Sequence, residues 1–147
     1  MAWDRNDLIP QTEITEKVTN VTVDFAKRFG THLGTSDIGN TGKPINNQMT
    51  TSQLRKFFGE VKRQQMKGYD ETDFILLKPK LAYAVGRANG KNPKIKDFYD
   101  VISKAIDCVK ASSQEESKKR FKNFIKVFEA IVAYHKATEE GKLNDNN

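Results

Sequence analysis

Four segments of the chain repeat apolar residues at i, i+3, i+4 and i+7, and no stretch of useful length alternates with period two. That period puts one greasy stripe on a helix and leaves no half-buried strand to build a sheet. The chain is therefore expected to be all-α, a compact bundle of about five helices. At 147 residues it matches one domain, 1–147. A domain of that size buries about two-thirds of the surface its unfolded form exposes, with no disulfide or metal required.

Along the chain, residues 1–29 form an N-terminal helix region. The helix runs from about Thr15 to Phe29, with Ile14, Val18, Val21, Phe25 and Phe29 on one stripe and Gly30 as its stop. Its Thr and Val content makes it a weak helix former. Residues 30–49 are rich in Gly, Thr and Asn and have no apolar period. They are expected to be a loop or linker that lets the first helix pack at a distance or against a neighbouring molecule. His32 and Asp37 have no partners there at a spacing that suggests a site.

Residues 50–138 are expected to form the helical core. Thr50 and Gln53 make a capping box, and Met49 and Leu54 are placed as a hydrophobic staple. In the helix they open, Leu54, Phe57, Phe58 and Val61 face inward. Arg55, Gly59 and Lys62 lie outward, with Lys56 and Arg63 alongside. Gly59 costs about 1 kcal/mol relative to alanine in a helix, which suggests close approach of another backbone, of a helix or of RNA. A central helix from about Lys94 to Ala111 follows, with Ile95, Phe98, Tyr99, Ile102, Ala105, Ile106 and Val109 as its stripe; Cys108 adjoins it as a structural thiol. Ser113 and Glu116 cap a last helix to about Thr138, ended by Gly141, with Phe121, Phe124, Ile125, Phe128, Val132 and His135 inward. Residues 139–147 are expected to be a disordered tail.

Between these lies Leu76 to Arg87. With Pro79 in the first turn, Leu77, Leu81, Ala84, Val85 and Ala88 share one side. Lys80, Tyr83 and Arg87 share another. Two cations with an aromatic ring between them suit a phosphate backbone, the charges meeting phosphates while Tyr83 stacks on a base or sugar. The plain alternative is a solvated face with a half-buried tyrosine. Lys118, Lys119, Arg120, Lys122 and Lys126 add five cations within nine residues, partly offset by Glu115 and Glu116. The formal charge of +6 favours a polyanionic partner without separating RNA from DNA.

Met49 to Phe58, Leu76 to Arg87 and Phe128 to Lys136 together resemble the small helical subunit of the type III-A CRISPR effector, the Csm complex. Residues before Met49 carry no part of the resemblance. It implies a non-catalytic subunit present in several copies, stacked beside the backbone subunits. The filament would flank the guide–target duplex of CRISPR RNA and target RNA and contact its sugar–phosphate backbone, with sequence left to base pairing. It implies RNA contact by Arg55, Lys56, Lys78, Lys80 and Arg87. Lys119, Arg120, Lys122 and Lys126 rest on the charge run alone. Partners would be both RNAs, the other effector subunits and copies of itself, with the N-terminal helix and the loop as candidate contact surfaces. In the family, target cleavage belongs to an aspartate of the backbone subunit, while cyclic-oligoadenylate synthesis and DNA cleavage belong to the large subunit.

No catalytic motif stands against this reading. There is no HExxH, Walker A, GxSxG or dinucleotide glycine pattern. His135 on its stripe reads as a satisfied core or cap histidine. No cofactor or metal is expected, and the chain is not expected to be an enzyme. The N-terminus lacks the basic start and apolar core of a signal peptide, a single cysteine excludes an internal disulfide, and no apolar run is long enough to span a bilayer. The cytoplasm is the expected compartment. A helical protein–protein adaptor without direct RNA contact is the alternative function, and a small metal-dependent nuclease a third.

Overall fold

The computed structural model describes residues 2–88 and 93–139. It is all-α: among the described residues there are α1 (Gln11–Thr15), α2 (Asn20–Gly34), α3 (Thr51–Lys67), α4 (Glu71–Ile75), α5 (Leu77–Arg87), α6 (Pro93–Asp107) and α7 (Gln114–Glu139). Five are longer helices, and α1 and α4 are single-turn pieces of five residues each. Gly141 and residues 140–147 lie outside the described residues.

α7 is the element the others are built around, packing against α1, α2 and α3, while α5 packs on α6. Its inward residues Phe121, Phe124, Ile125, Phe128 and Ile131 are buried, and Val132 is half-buried. The rings of Phe58 from α3, Phe98 from α6 and Phe124 all stand within 5.8–5.9 Å of Phe128. This is where three helices meet. The stripe expected of α6 is buried from Ile95 to Ile106, with Tyr99 at its edge. α6 stops at Asp107 and not Ala111, because the N–H groups of Cys108 and Val109 turn back to Ala105 and Ile106 in a tightened last turn.

The N-terminal third departs from the sequence-based expectation in three ways. First, a short α1 precedes α2, and Glu13 in α1 is a buried carboxylate. Its Oε1 accepts from the N–H and hydroxyl of both Thr19 and Thr22 at 2.6–3.2 Å. Burial alone would raise its pKa; those four hydrogen bonds outweigh it and hold it below the usual 4.5. Glu13 thus satisfies donors at the start of a helix whose own composition is weak. Second, one position of the expected stripe fails: Ile14, Phe25 and Phe29 are buried and Val18 is half-buried, but Val21 is exposed, and Thr22, Ala26 and Leu33 complete the buried face.

Third, Gly30 does not stop the helix. α2 runs on to Gly34, and Gly30 lies against α7, where a β-carbon would meet Ile131 O at 2.7 Å, Tyr134 Cβ at 2.8 Å and His135 N at 2.9 Å. It is a close-approach glycine. The N-terminal helix therefore packs along α7 of its own chain, and not at a distance.

The connection after α2 is also tied down. Ile38 and Pro44 form an antiparallel bridge, Asn47 side-chain atoms bond the Asp37 backbone and carboxylate at 2.8 Å, and Met49 N–H donates to Leu33 O at 2.7 Å. Met49 is fully buried, and its carbonyl accepts from His135 Nε2 at 2.5 Å. His135 is a satisfied core histidine. The expected capping box is present in both directions, Gln53 N–H to Thr50 Oγ1 at 3.1 Å and Thr50 N–H to Gln53 Oε1 at 2.8 Å. A β-carbon on Gly59 would meet no atom within 4 Å, so no described part of this chain explains that glycine.

Candidate nucleic-acid interface

α3 and α5 flank a groove of about 590 Å³, whose lining also takes in Ala88 and Ile95. The sequence accounts for both walls. The Thr50–Gln53 box sets where α3 begins, so Ser52, Gln53, Lys56 and Glu60 fall on the flank next to the buried face. On α5, Pro79 sits in the first turn, where its missing N–H removes no helical bond. Leu77 and Leu81 then anchor the helix inward. Lys80, Tyr83 and Arg87, at spacings of three and four, are left facing the groove.

Its floor is apolar, made by Phe57, Ala84, Ala88 and Ile95, and its rim carries Lys56, Lys80 and Arg87. Tyr83 is 70% exposed, with the Arg87 guanidinium 5.9 Å from the centre of its ring. Glu60 is the one carboxylate among the described residues of the lining. It accepts from Arg63 at 2.7 and 3.0 Å and from Gln64 at 3.0 Å, and Lys80 Nζ lies 3.6 Å away across the groove. The Arg63 and Gln64 donors lead in holding its carboxyl at about 2, well below the usual 4.5. Glu60 is thereby committed to neighbours. Three rim cations against this single carboxylate leave the groove positive by two charges.

Four of the ten basic and aromatic residues singled out in the sequence converge here: Lys56, Lys80, Tyr83 and Arg87. The others go elsewhere. Arg55 is exposed one position, and so about 100° of helix rotation, from Lys56, off the groove. Lys78 turns to α6 and pairs with Asp107 at 2.6 Å. Arg120 is half-buried in the α6–α7 turn, where Nη1 donates to the carbonyls of Cys108 and Lys110 at 3.3 Å and Glu116 lies 3.7 Å away. Lys119, Lys122 and Lys126 are exposed along one side of α7, and among the described residues none is in an ion pair.

A family model described as Csm2 Type III-A matches residues 17–141. The chain belongs to the Csm2 family. It is thus a member of the family that forms a small subunit of the type III-A CRISPR complex. The match takes in α2 to α7, and so extends the resemblance seen from Met49 to Lys136 back through the N-terminal helix and its loop. No curated protein and no solved structure matches the chain. In this Csm2-family chain the groove walls, α3 and α5, both lie inside the match.

One polar cluster has no counterpart in the sequence-based expectation. Lys94 at the start of α6 is only 2% exposed and reaches His32 O at 2.8 Å and the Asp37 carboxylate at 3.2 Å. Asp97, one turn on, takes His32 Nε2 at 2.7 Å and Arg5 at 2.9 Å. The Asn47 amide leads, with Lys94 behind it, in holding the Asp37 carboxyl below its usual range. His32 and Asp37 therefore do have partners, supplied by α6 some 60 residues away. The cluster ties the N-terminal arm, α2, the loop and α6 into one unit. Among the described residues no group of three or more His, Cys, Asp or Glu could hold a metal ion. Burial pushes the Cys108 thiol up, away from nucleophilic use. No helix among the described residues is long and apolar enough to cross a membrane.

Proposed function

We propose that this chain is the RNA-contacting, non-catalytic small subunit of a cytoplasmic type III-A CRISPR ribonucleoprotein. In this reading it stacks in several copies along the guide–target duplex and contacts its sugar–phosphate backbone. Family membership supports the place in the complex. The observation that carries the RNA contact is the meeting of Lys56 from α3 with Lys80 and Arg87 from α5 around one groove. Cations gathered from two helices onto one face attract a polyanion without reading its sequence, as a subunit needs when the guide supplies specificity.

The exposed Lys119, Lys122 and Lys126 extend the positive surface along α7. Lys78 and Arg120 contribute less, because each is already held by groups of this chain. The test is target-RNA binding by the assembled complex across a salt series, with Lys80→Glu and Arg87→Glu combined. Weaker binding is expected, with a salt slope reduced by about 0.7–0.9 for each phosphate no longer engaged. Unchanged affinity and slope would remove the groove from the interface and favour the adaptor reading.

A further inference from the structure

The groove is built for more than a passing phosphate chain. A backbone contact needs cations and hydrogen-bond donors, and the rim supplies those. It does not need an apolar floor. Yet Phe57, Ala84, Ala88 and Ile95 form one between the two charged walls, and the exposed Tyr83 shares the lining with them. A phosphate backbone resting on the rim alone would leave that floor wet. We infer that the α3–α5 groove takes one unpaired nucleobase, stacked on Tyr83, with the phosphates on either side held by Lys56 on one wall and Lys80 and Arg87 on the other.

Three further features fit a base. The volume, about 590 Å³, lies within the usual range for small-molecule sites. The Arg87 guanidinium lies over one face of the ring, 5.9 Å from its centre, which steadies the exposed ring and leaves its other face for a base. Gln53 has its Oε1 engaged by the Thr50 N–H, which leaves its amide NH₂ in the lining as a donor for the edge of a base, and Ser52 adds a hydroxyl. An acidic peptide would meet the same cations, but a short floor between two charged walls matches the phosphate–base–phosphate order of a single strand better than a row of side-chain anchors. The inference rests on the RNA-contacting reading and adds to it: along a duplex, the groove selects a nucleotide that has left the stack.

The experiment is fluorescence anisotropy with the full chain and three probes: a short single-stranded RNA, an abasic ribose–phosphate strand of the same length, and the corresponding duplex. Wild type, Tyr83→Leu and Tyr83→Phe are compared; Tyr83 is exposed, so both variants retain the fold. The base-bearing strand is expected to bind about 5- to 150-fold tighter than the abasic strand, the range for one aromatic–base stack. It should also bind tighter than the duplex, whose bases are all paired. Tyr83→Leu should erase the base-dependent ratio and Tyr83→Phe keep it. Equal binding of both strands, salt-dependent in each, would overturn the base site and leave the backbone reading standing. No salt-dependent binding to any probe would overturn both. Binding of poly-glutamate with the same Tyr83 dependence, and of no RNA, would overturn the base site and assign the groove to an acidic protein segment.

Discussion

Replacing Gly30 with alanine should destabilise the protein, although alanine is the best helix former and Gly30 is inside a helix. The added methyl carbon would stand 2.7 Å from Ile131 O, 2.8 Å from Tyr134 Cβ and 2.9 Å from His135 N. Non-bonded carbon contacts are favourable at about 3.5–4.0 Å, so α2 and α7 would have to separate locally by about 1 Å. Two of the three obstacles are backbone atoms, so no side-chain rotation relieves the overlap. Separation would loosen Phe29 and Leu33, both fully buried on the same face. Overpacking typically costs about 1–3 kcal/mol, and with backbone atoms as the obstacles the cost here falls at the upper end, about 2–3 kcal/mol, of which the gain in helix propensity offsets about 1 kcal/mol.

The expected net loss is about 1–2 kcal/mol, read in urea unfolding followed by far-UV circular dichroism, or a fall in Tm of roughly 2–8 °C. Gly59→Ala is the internal control. It occupies the interior of α3, is exposed, and has no described atom of this chain near the new methyl, so it should stabilise by about 0.5–1 kcal/mol. The two substitutions are chemically identical and opposite in sign. If Gly30→Ala proves as stable as Gly59→Ala, α2 does not lie against α7 as described.

Other consequences are open to the same instruments. Phe128→Ala removes a side chain that is 1% exposed at the junction of α3, α6 and α7, and should cost about 3–5 kcal/mol; an equally stable variant would mean the core is centred elsewhere. Glu60 has its folded pKa depressed to about 2 from 4.5, so its stabilising contribution is present above pH 4.5 and is lost as the pH falls toward about 2. Glu60→Gln should flatten the stability profile in that acid window, and a variant with the wild-type profile would show that Arg63 and Gln64 do not hold the carboxylate in solution.

Local devices were legible in the residues themselves. The Thr50–Gln53 box, the buried Met49–Leu54 staple and Pro79 in a first turn depend on neighbours within five positions, where backbone chemistry decides. Lys80, Tyr83 and Arg87 shared a face for the same reason. Gly30 was misleading because a glycine that ends a helix and one that admits a second helix look alike until the second helix is in place. Phe25 and Phe29 are buried as their spacing predicts, but Val21 is misleading: it reads as apolar and stands outward, while the buried Thr22 beside it is satisfied by Glu13 from outside the helix. Nothing near His32 or Asp37 in sequence announces Lys94 and Asp97, since ion pairing in a buried cluster is set by how α2 and α6 cross.

Helical class, the starts of α3, α6 and α7, most of the inward residues and the Csm2 relationship follow from the residues alone, because period, capping and motif are properties of short windows. Which cations act together does not follow until the helices are packed. Helical spacing can place Lys56 on one helix and Lys80, Tyr83 and Arg87 on another, but the groove exists because the buried faces of α3 and α5 leave those flanks opposite each other. The same packing withdraws Lys78 to Asp107 and Arg120 to the carbonyls of the α6–α7 turn. Charge is written residue by residue, whereas a binding surface is a matter of distance between elements, and packing sets that distance.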